Sequence, residues 1–444
     1  MSDQPTPGAR PPAGEEPNPA PVKAGAEPGA AAEKGAPLPE EAHPGRDRWW
    51  RAMLVPVLAV LTALAVGGLL IVFSDPGILE DWTYFFSEPF TAIRNSGLAI
   101  VEAYGALFTG ALGSPTAMWE AVTTGEGLTG AFRPLSETVV AATPLIFAGL
   151  SVALAFRAGL FNIGAEGQII LGGIVAGFVG FTFTGLPTAV HLPLAILAGF
   201  VGGALWGFIP GLLKARTGAH EVIITIMLNQ VALRLLDYFL RGDVFQRPDR
   251  SDPISKPVEA SAQLPRLLGS TLRIHAGILL ALLVAWGVWW LLFRTTKGFE
   301  FRAVGANPFA ARYAGVSVGG TYVVSMVLAG GLAGLAGANQ LLGGVTLYSL
   351  TPGFAGGIGF DAIALALLGR SHPAGIIAAS FLFGILRAGS TRMQAVTAIP
   401  VDIIVVIQAL VIVFIAAPAL IRAIYRIKVR REVGAEVFTK GWGA

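Results

Sequence analysis

The sequence predicts an all-α fold, a polytopic membrane helix bundle of about ten transmembrane helices with broken or re-entrant segments. Of its 444 residues, 54% are hydrophobic and only 13% are charged, and mean hydropathy is +0.66. No soluble domain of this length carries that balance. Apolar windows of about 20 residues, the length a hydrocarbon core of ~30 Å demands of a helix, recur between short polar turns. They lack the strict alternation of barrel strands. Cysteine is absent, which removes a disulfide framework, a thiolate metal site and a cysteine nucleophile from consideration. The five histidines fall in separate segments, so neither a metal site nor another cofactor is expected. The net charge of +3 gives no ground for a nucleic-acid partner.

Residues 1–46 are rich in Pro, Ala, Gly and Glu and nearly devoid of large apolar side chains. They cannot bury enough surface to offset their ordering entropy and read as a disordered cytoplasmic tail. A signal peptide is not expected, since it would set its apolar stretch within the first ~30 residues. Arg46, Arg48 and Arg51 then precede the uncharged run 52–73, a first span entering from the cytoplasm. Residues 47–134 hold that helix and an external segment, in which Asp75, Glu80, Asp81, Glu88, Glu102, Glu120 and Glu126 face only Arg94 and Arg133. Within it, 91–113 is apolar enough for the membrane interface and is not counted as a span.

The main transmembrane body, 135–425, supplies further windows at 135–156, 160–183, 192–213, 221–240, 274–293, 321–342, 356–369, 374–389 and 401–421. An even number of spans returns the chain to the cytoplasm, where Arg422, Arg426, Lys428, Arg430 and Arg431 mark a basic end, with 426–444 a cytoplasmic tail. The same alternation places Lys214, Arg216, Arg294, Lys297, Arg302, Arg312 and Arg370 inside. Two places resist it. Loop 241–273 is expected outside yet carries six basic residues against four acidic ones, and Arg387 and Arg392 also fall outside. Window 356–369 is short for a span, so this region is expected to be broken or re-entrant.

Ten residues inside an apolar window, Gly159-Leu-Phe-Asn-Ile-Gly-Ala-Glu-Gly-Gln168, carry the sharpest chemical signal. An ionised carboxylate near the bilayer centre costs on the order of 3 kcal/mol on insertion scales, so Glu166 must face protein, water or solute. Asn162 and Gln168 share its setting, and three glycines loosen the helix around them. Glu166 could cap or brace a neighbouring helix, or face a solute; both remain open. Asp361, in Gly356-Gly-Ile-Gly-Phe-Asp361, is a second acid beside glycines in the later half of the chain. Two Gly-interrupted segments in separate halves point to a site at their meeting; an acid near the membrane surface is the alternative. Asn229, Gln230, Asn339 and Gln340 suit hydrogen bonds between helices, and Trp286, Trp289 and Trp290 an interfacial aromatic belt.

Between two spans, Asn307 is a good N-cap, Pro308 suits the first helical position and Gly315 suits the stop. The result is a short cytoplasmic helix with an apolar and cationic face, shaped either to seat in a groove on a partner or to lie as an interfacial connector. No G-x-x-x-x-G-K-[ST] occurs, and no soluble domain is large enough for a nucleotide site, so any ATP hydrolysis belongs to another subunit. H-E-x-x-H and G-x-S-x-G are absent as well, and no enzymatic activity is expected.

Thr143-Pro144-Leu145, Phe156-Arg-Ala-Gly-Leu-Phe-Asn-Ile-Gly-Ala-Glu-Gly-Gln168 and His220-Glu-Val-Ile-Ile-Thr-Ile-Met-Leu-Asn229 resemble the nucleoside-type branch of the ABC importer permeases that also include branched-chain amino acid and simple sugar permeases. Phe360-Asp-Ala-Ile-Ala-Leu-Ala-Leu-Leu-Gly369 resembles a segment shared with the sugar permeases. The likeness runs over 135–421; the tail 1–46 departs from the family pattern. It implies a multi-pass subunit of the bacterial cytoplasmic (inner) membrane, set in membrane lipid with both termini cytoplasmic, moving nucleosides or related small sugars across it by alternating access powered by a separate ATPase subunit. It also implies an ABC ATPase subunit, a second permease subunit and an extracytoplasmic substrate-binding lipoprotein as partners. Residues 302–316, with Gly305, Asn307, Pro308, Ala311, Arg312 and Tyr313, would dock on the ATPase. Asn162, Glu166, Gln168, Phe360 and Asp361 would lie on the translocation pathway of the small-molecule substrate. The rival is an ion-coupled secondary transporter in which Glu166 and Asp361 relay protons.

Overall fold

A computed structural model describes residues 47–397, 399–400 and 402–426. The expected tail 1–46 and the basic end from 427 onward lie outside the described residues. The described chain runs through helices α1 (Asp47–Ser74), α2 (Pro76–Thr83), α3 (Pro89–Leu112), α4 (Pro115–Thr124), α5 (Leu128–Arg157), α6 (Ala165–Thr182), α7 (Thr188–Thr217) and α8 (Glu221–Leu240). After a long loop come α9 (Gly277–Arg294), α10 (Thr296–Ala306), α11 (Pro308–Tyr313), α12 (Val318–Leu342), α13 (Ile358–Leu368), α14 (Pro373–Thr397), α15 (Asp402–Ala416) and α16 (Pro418–Ile424). Among the described residues no strand forms; the loop holds two isolated bridges, Gln246–Ser255 and Arg266–His275.

Nine helices among the described residues are long and apolar enough to cross a membrane, ten if α15 and α16, bent by 89°, count as one. The total matches the sequence expectation, but its membership differs at two places. Helix α3 is 24 residues long, packs against α14 and α5, and with α4 belongs to the count. Segment 91–113 is therefore corrected from an interfacial stretch to a candidate span; Arg94, Glu102 and its glycines had diluted its apolar signal. Helix α13 has 11 residues, about 16 Å at 1.5 Å per residue, and cannot cross. It is the broken segment anticipated at 356–369.

Helices α5 and α6 make the interior, and α7 and α12 close over them. Gly172 of α6 lies on Gly334 of α12, and Gly203 of α7 on Gly330 of α12, so closely that a Cβ at any of these would overlap the facing backbone. Small residues at such crossings give helices the van der Waals contact that apolar burial alone does not supply in lipid.

The basic loop expected outside is explained by where its charges go. Arg273 pairs with Glu137 of α5 at 2.9 Å and donates to the Gly344 carbonyl, while Ser136 Oγ accepts from the Arg273 and Ile274 amides. Arg247 and Arg250 pair with Asp249 and Asp252, and Lys256 donates to the Asp243 and Val244 carbonyls. These cations fasten the loop, so their number does not report the side of the membrane.

Candidate functional site

The turn between α5 and α6 brings the Gly-rich motif against three other elements. Gly159 takes φ +74, a left-handed conformation that glycine adopts without strain, and its Cα side lies against Gly305 of α10. A Cβ on Gly305 would overlap the Arg157 carbonyl. The backbone of α10 is thus seated directly on the turn that starts α6.

Beyond the turn, the polar side chains are bound to protein. Asn162 and Gln168 are buried and exchange two amide hydrogen bonds, Asn162 Nδ2 to Gln168 Oε1 at 2.9 Å and Gln168 Nε2 to Asn162 Oδ1 at 3.1 Å. Asn229 of α8 accepts from the Gly167 amide and donates to the Ile163 carbonyl, both at 2.9 Å. It spans the turn and the first residues of α6 from outside the motif.

Glu166, 6% exposed, reaches α13. Its Oε1 accepts from the Gly357 amide at 2.9 Å and its Oε2 from the Gly359 amide at 2.7 Å. A helix start leaves amides unpaired and attracts negative charge, so Glu166 caps α13 from another helix. Gly359 permits this: a Cβ there would overlap the Glu166 backbone. Asp361, one turn into α13, pairs with Arg387 of α14 at 2.6 Å, and Arg387 also donates to the Gly356 carbonyl. Phe360 is half exposed beside them. Glu166, Phe360 and Asp361 therefore gather at the start of α13, and Asn162 and Gln168 lie behind them in the interior. Both carboxylates are thus held by donors of the protein, Glu166 by two backbone amides and Asp361 by a guanidinium.

At its other end α13 runs into Arg370 and Ser371, both at positive φ. Arg157 holds this turn, donating through Nε to the Ser371 carbonyl at 3.1 Å and through Nη2 to that of Arg370 at 3.4 Å. The guanidinium groups of Arg157 and Arg302 each lie 5.5 Å from the Phe293 ring, and His372 packs against the same ring. Burial, with the charge of Arg157 nearby, keeps the His372 imidazole below its ordinary pKa.

The connector between α9 and α12 forms two helices where one was expected. Thr295 caps α10, and Asn307 caps α11 by accepting from the Phe309 and Ala310 amides at 3.0 Å. Pro308 opens α11 and Gly315, at φ +86, ends it. Ala311 is buried with Val304 and Val318, which leaves Phe309 80% and Tyr313 97% exposed, with Arg312 beside them. Phe309 was not singled out from the sequence; its place four residues before Tyr313 was the available signal.

A many-helix membrane bundle with a short helix capped inside it, and a protruding aromatic and cationic knob next to the helix seated on its α5–α6 turn, has the construction of a membrane permease subunit. The chain belongs to the family described as branched-chain amino acid transport system / permease component, whose model matches residues 135–416. It is 37% identical over 370 residues to the guanosine ABC transporter permease protein NupP of Bacillus subtilis, covering 83% of this chain and 94% of that one. It is 35% identical over 375 residues to the glucose ABC transporter permease protein TsgB13 of Haloferax volcanii, covering 82% and 87%. With the nucleoside ABC transporter permease protein NupB of Lactococcus lactis it shares 37% identity over 299 residues, covering 66% and 81%. No solved structure gives a significant match to the chain.

Proposed function

We propose that this chain is the membrane-spanning permease subunit of an ABC importer that moves nucleosides, with related small sugars as the other cargo class, across the bacterial cytoplasmic membrane by alternating access. A separate ATPase subunit supplies the energy, a second permease subunit completes the pathway, and an extracytoplasmic binding lipoprotein delivers the solute. The observation that carries this reading is the knob of Phe309, Arg312 and Tyr313, exposed on α11 while the adjoining α10 rests on the Gly159 turn. Apolar rings around a cation suit a groove on a partner protein, and their backbone seat offers a path from that partner to the buried start of α6. Gly305, Asn307, Pro308 and Ala311 shape the knob, and Asn162, Glu166, Gln168, Phe360 and Asp361 form the block it would move. Both termini belong in the cytoplasm on this reading, beside Arg46 to Arg51 at one end and Arg422 to Arg431 at the other.

The test is uptake of labelled guanosine, with ribose in parallel, by vesicles holding this chain with its co-encoded permease, ATPase and binding protein. Guanosine uptake that needs ATP and survives an uncoupler is the expected result. Ribose uptake alone would move the cargo to sugars, and uptake lost with the proton gradient would overturn the ABC mechanism.

A further inference from the structure

Helices α8 and α9 are both peripheral, with 22% and 28% of their spans buried, yet their outward faces differ in kind. Among its large exposed side chains α9 presents Leu279, Leu283, Trp286 and Trp290, a surface that lipid accepts. Helix α8 presents Ile223, Met227 and Val231, but Gln230 and Arg234 stand among them. The side chain of Arg234 is 83% exposed and meets Asp237 at 3.5 Å, and Gln230 makes no side-chain hydrogen bond among the described residues. At 1.5 Å per residue, Gln230 and Arg234 lie about 14 and 20 Å along a helix of about 30 Å. They are at membrane depth, where polar side chains face protein, water or solute and not lipid.

The stripe also leads somewhere. Tyr238 follows Arg234 by four residues, on the same face, and lines a cavity of about 460 Å³ with Phe178, Phe239 and Phe245. That volume lies in the range of small-molecule sites, and its aromatic rings give flat apolar surface. Gln230 offers an amide donor and acceptor and Arg234 a fork of donors.

We propose that the solute pathway runs along the outward face of α8, with Gln230 and Arg234 as its polar contacts and the Phe178–Tyr238–Phe239–Phe245 cavity seating the solute's ring. The occupant is a neutral solute that combines a planar ring with hydrogen-bonding groups, the chemistry of a nucleoside. The proposal rests on the importer reading and moves solute contact away from the interlocked Asn162–Gln168 pair.

The chain contains no cysteine, so single cysteines can be placed without background. Gln230→Cys and Arg234→Cys, with Leu283→Cys on α9 as the lipid-facing control, are assembled with the partner subunits in vesicles. They are treated with a charged methanethiosulfonate reagent, with and without 1 mM guanosine. Modification at positions 230 and 234 but not 283, slowed at least tenfold by guanosine, is expected, as is a tenfold or larger rise in the KM for uptake in Arg234→Ala. Absence of modification at both positions would make this face a dry contact with the second permease and overturn the proposal. Modification that guanosine leaves unchanged, with normal uptake in Arg234→Ala, would overturn it too. If the unmodified complex takes up guanosine without ATP, or takes up neither guanosine nor ribose, the importer reading fails on that result, whereas the pattern of water access still decides where the pathway runs.

Discussion

The first turn of α6 and the outward face of α8 both carry polar side chains inside apolar spans, and they dispose of them in opposite ways. In α6, where 78% of the span is buried, Glu166 is held by two amides of the distant α13 and Gln168 by two hydrogen bonds with Asn162 of the preceding turn. In α8, Asn229 points inward and clasps the α6 turn, while its neighbour Gln230 is exposed and makes no such bond among the described residues. Successive residues on a helix are about 100° apart, enough to make one amide a brace and the next a contact surface. Residue type in a span therefore says that something polar must be met, and the face decides what.

This contrast can be broken most sharply at Gly359. In Gly359→Val the new side chain would meet the Glu166 backbone, which cannot yield, so we expect a loss of more than about 4 kcal/mol and little monodisperse protein on size exclusion. A well-behaved Gly359→Val would show that α6 and α13 are not locked. Next, Glu166→Ala leaves one buried and one half-buried amide without an acceptor and should cost about 2–4 kcal/mol in detergent unfolding, with Glu166→Gln recovering part because one acceptor oxygen remains. For Asn162 and Gln168, the double-mutant cycle to alanine should return a coupling of about 1–2 kcal/mol; additive losses would dissolve the pair. At the small end, Gln230→Ala and Tyr313→Ala should stay within about 0.5 kcal/mol of the parent. Tyr313→Ala should nevertheless depress ATP-driven uptake, and normal uptake in that variant would remove the knob from coupling.

What could be read in the sequence was local. The apolar windows located most spans, the Asn307–Pro308 cap and Gly315 stop located α11, and the glycines around Glu166 and Asp361 located the broken core. What escaped was pairing across the chain. Glu166 finds its donors 191 and 193 residues away, Asn229 meets Gly167 across 62, and Arg387 meets Asp361 across 26. Arg387 looked misplaced when only the side of the membrane was considered, because its charge is spent on a partner that no window contains. The stretch now seen as α3 was misjudged for a related reason: composition weighs Arg94 and Glu102 against a span, while the packing of its buried Ala103 and Leu107 on α14 and α5 is invisible to it.

Helix α13 is gripped at both ends, by Glu166 and Arg387 where it begins and by Arg157 just past where it stops. A hydrogen-bonded helix of 11 residues does not stretch. Arg157 also heads the turn on which α10 sits, so under the proposed coupling α13 would serve as a connecting rod, with a displacement of the knob entering at its Arg157 end and being felt at Glu166.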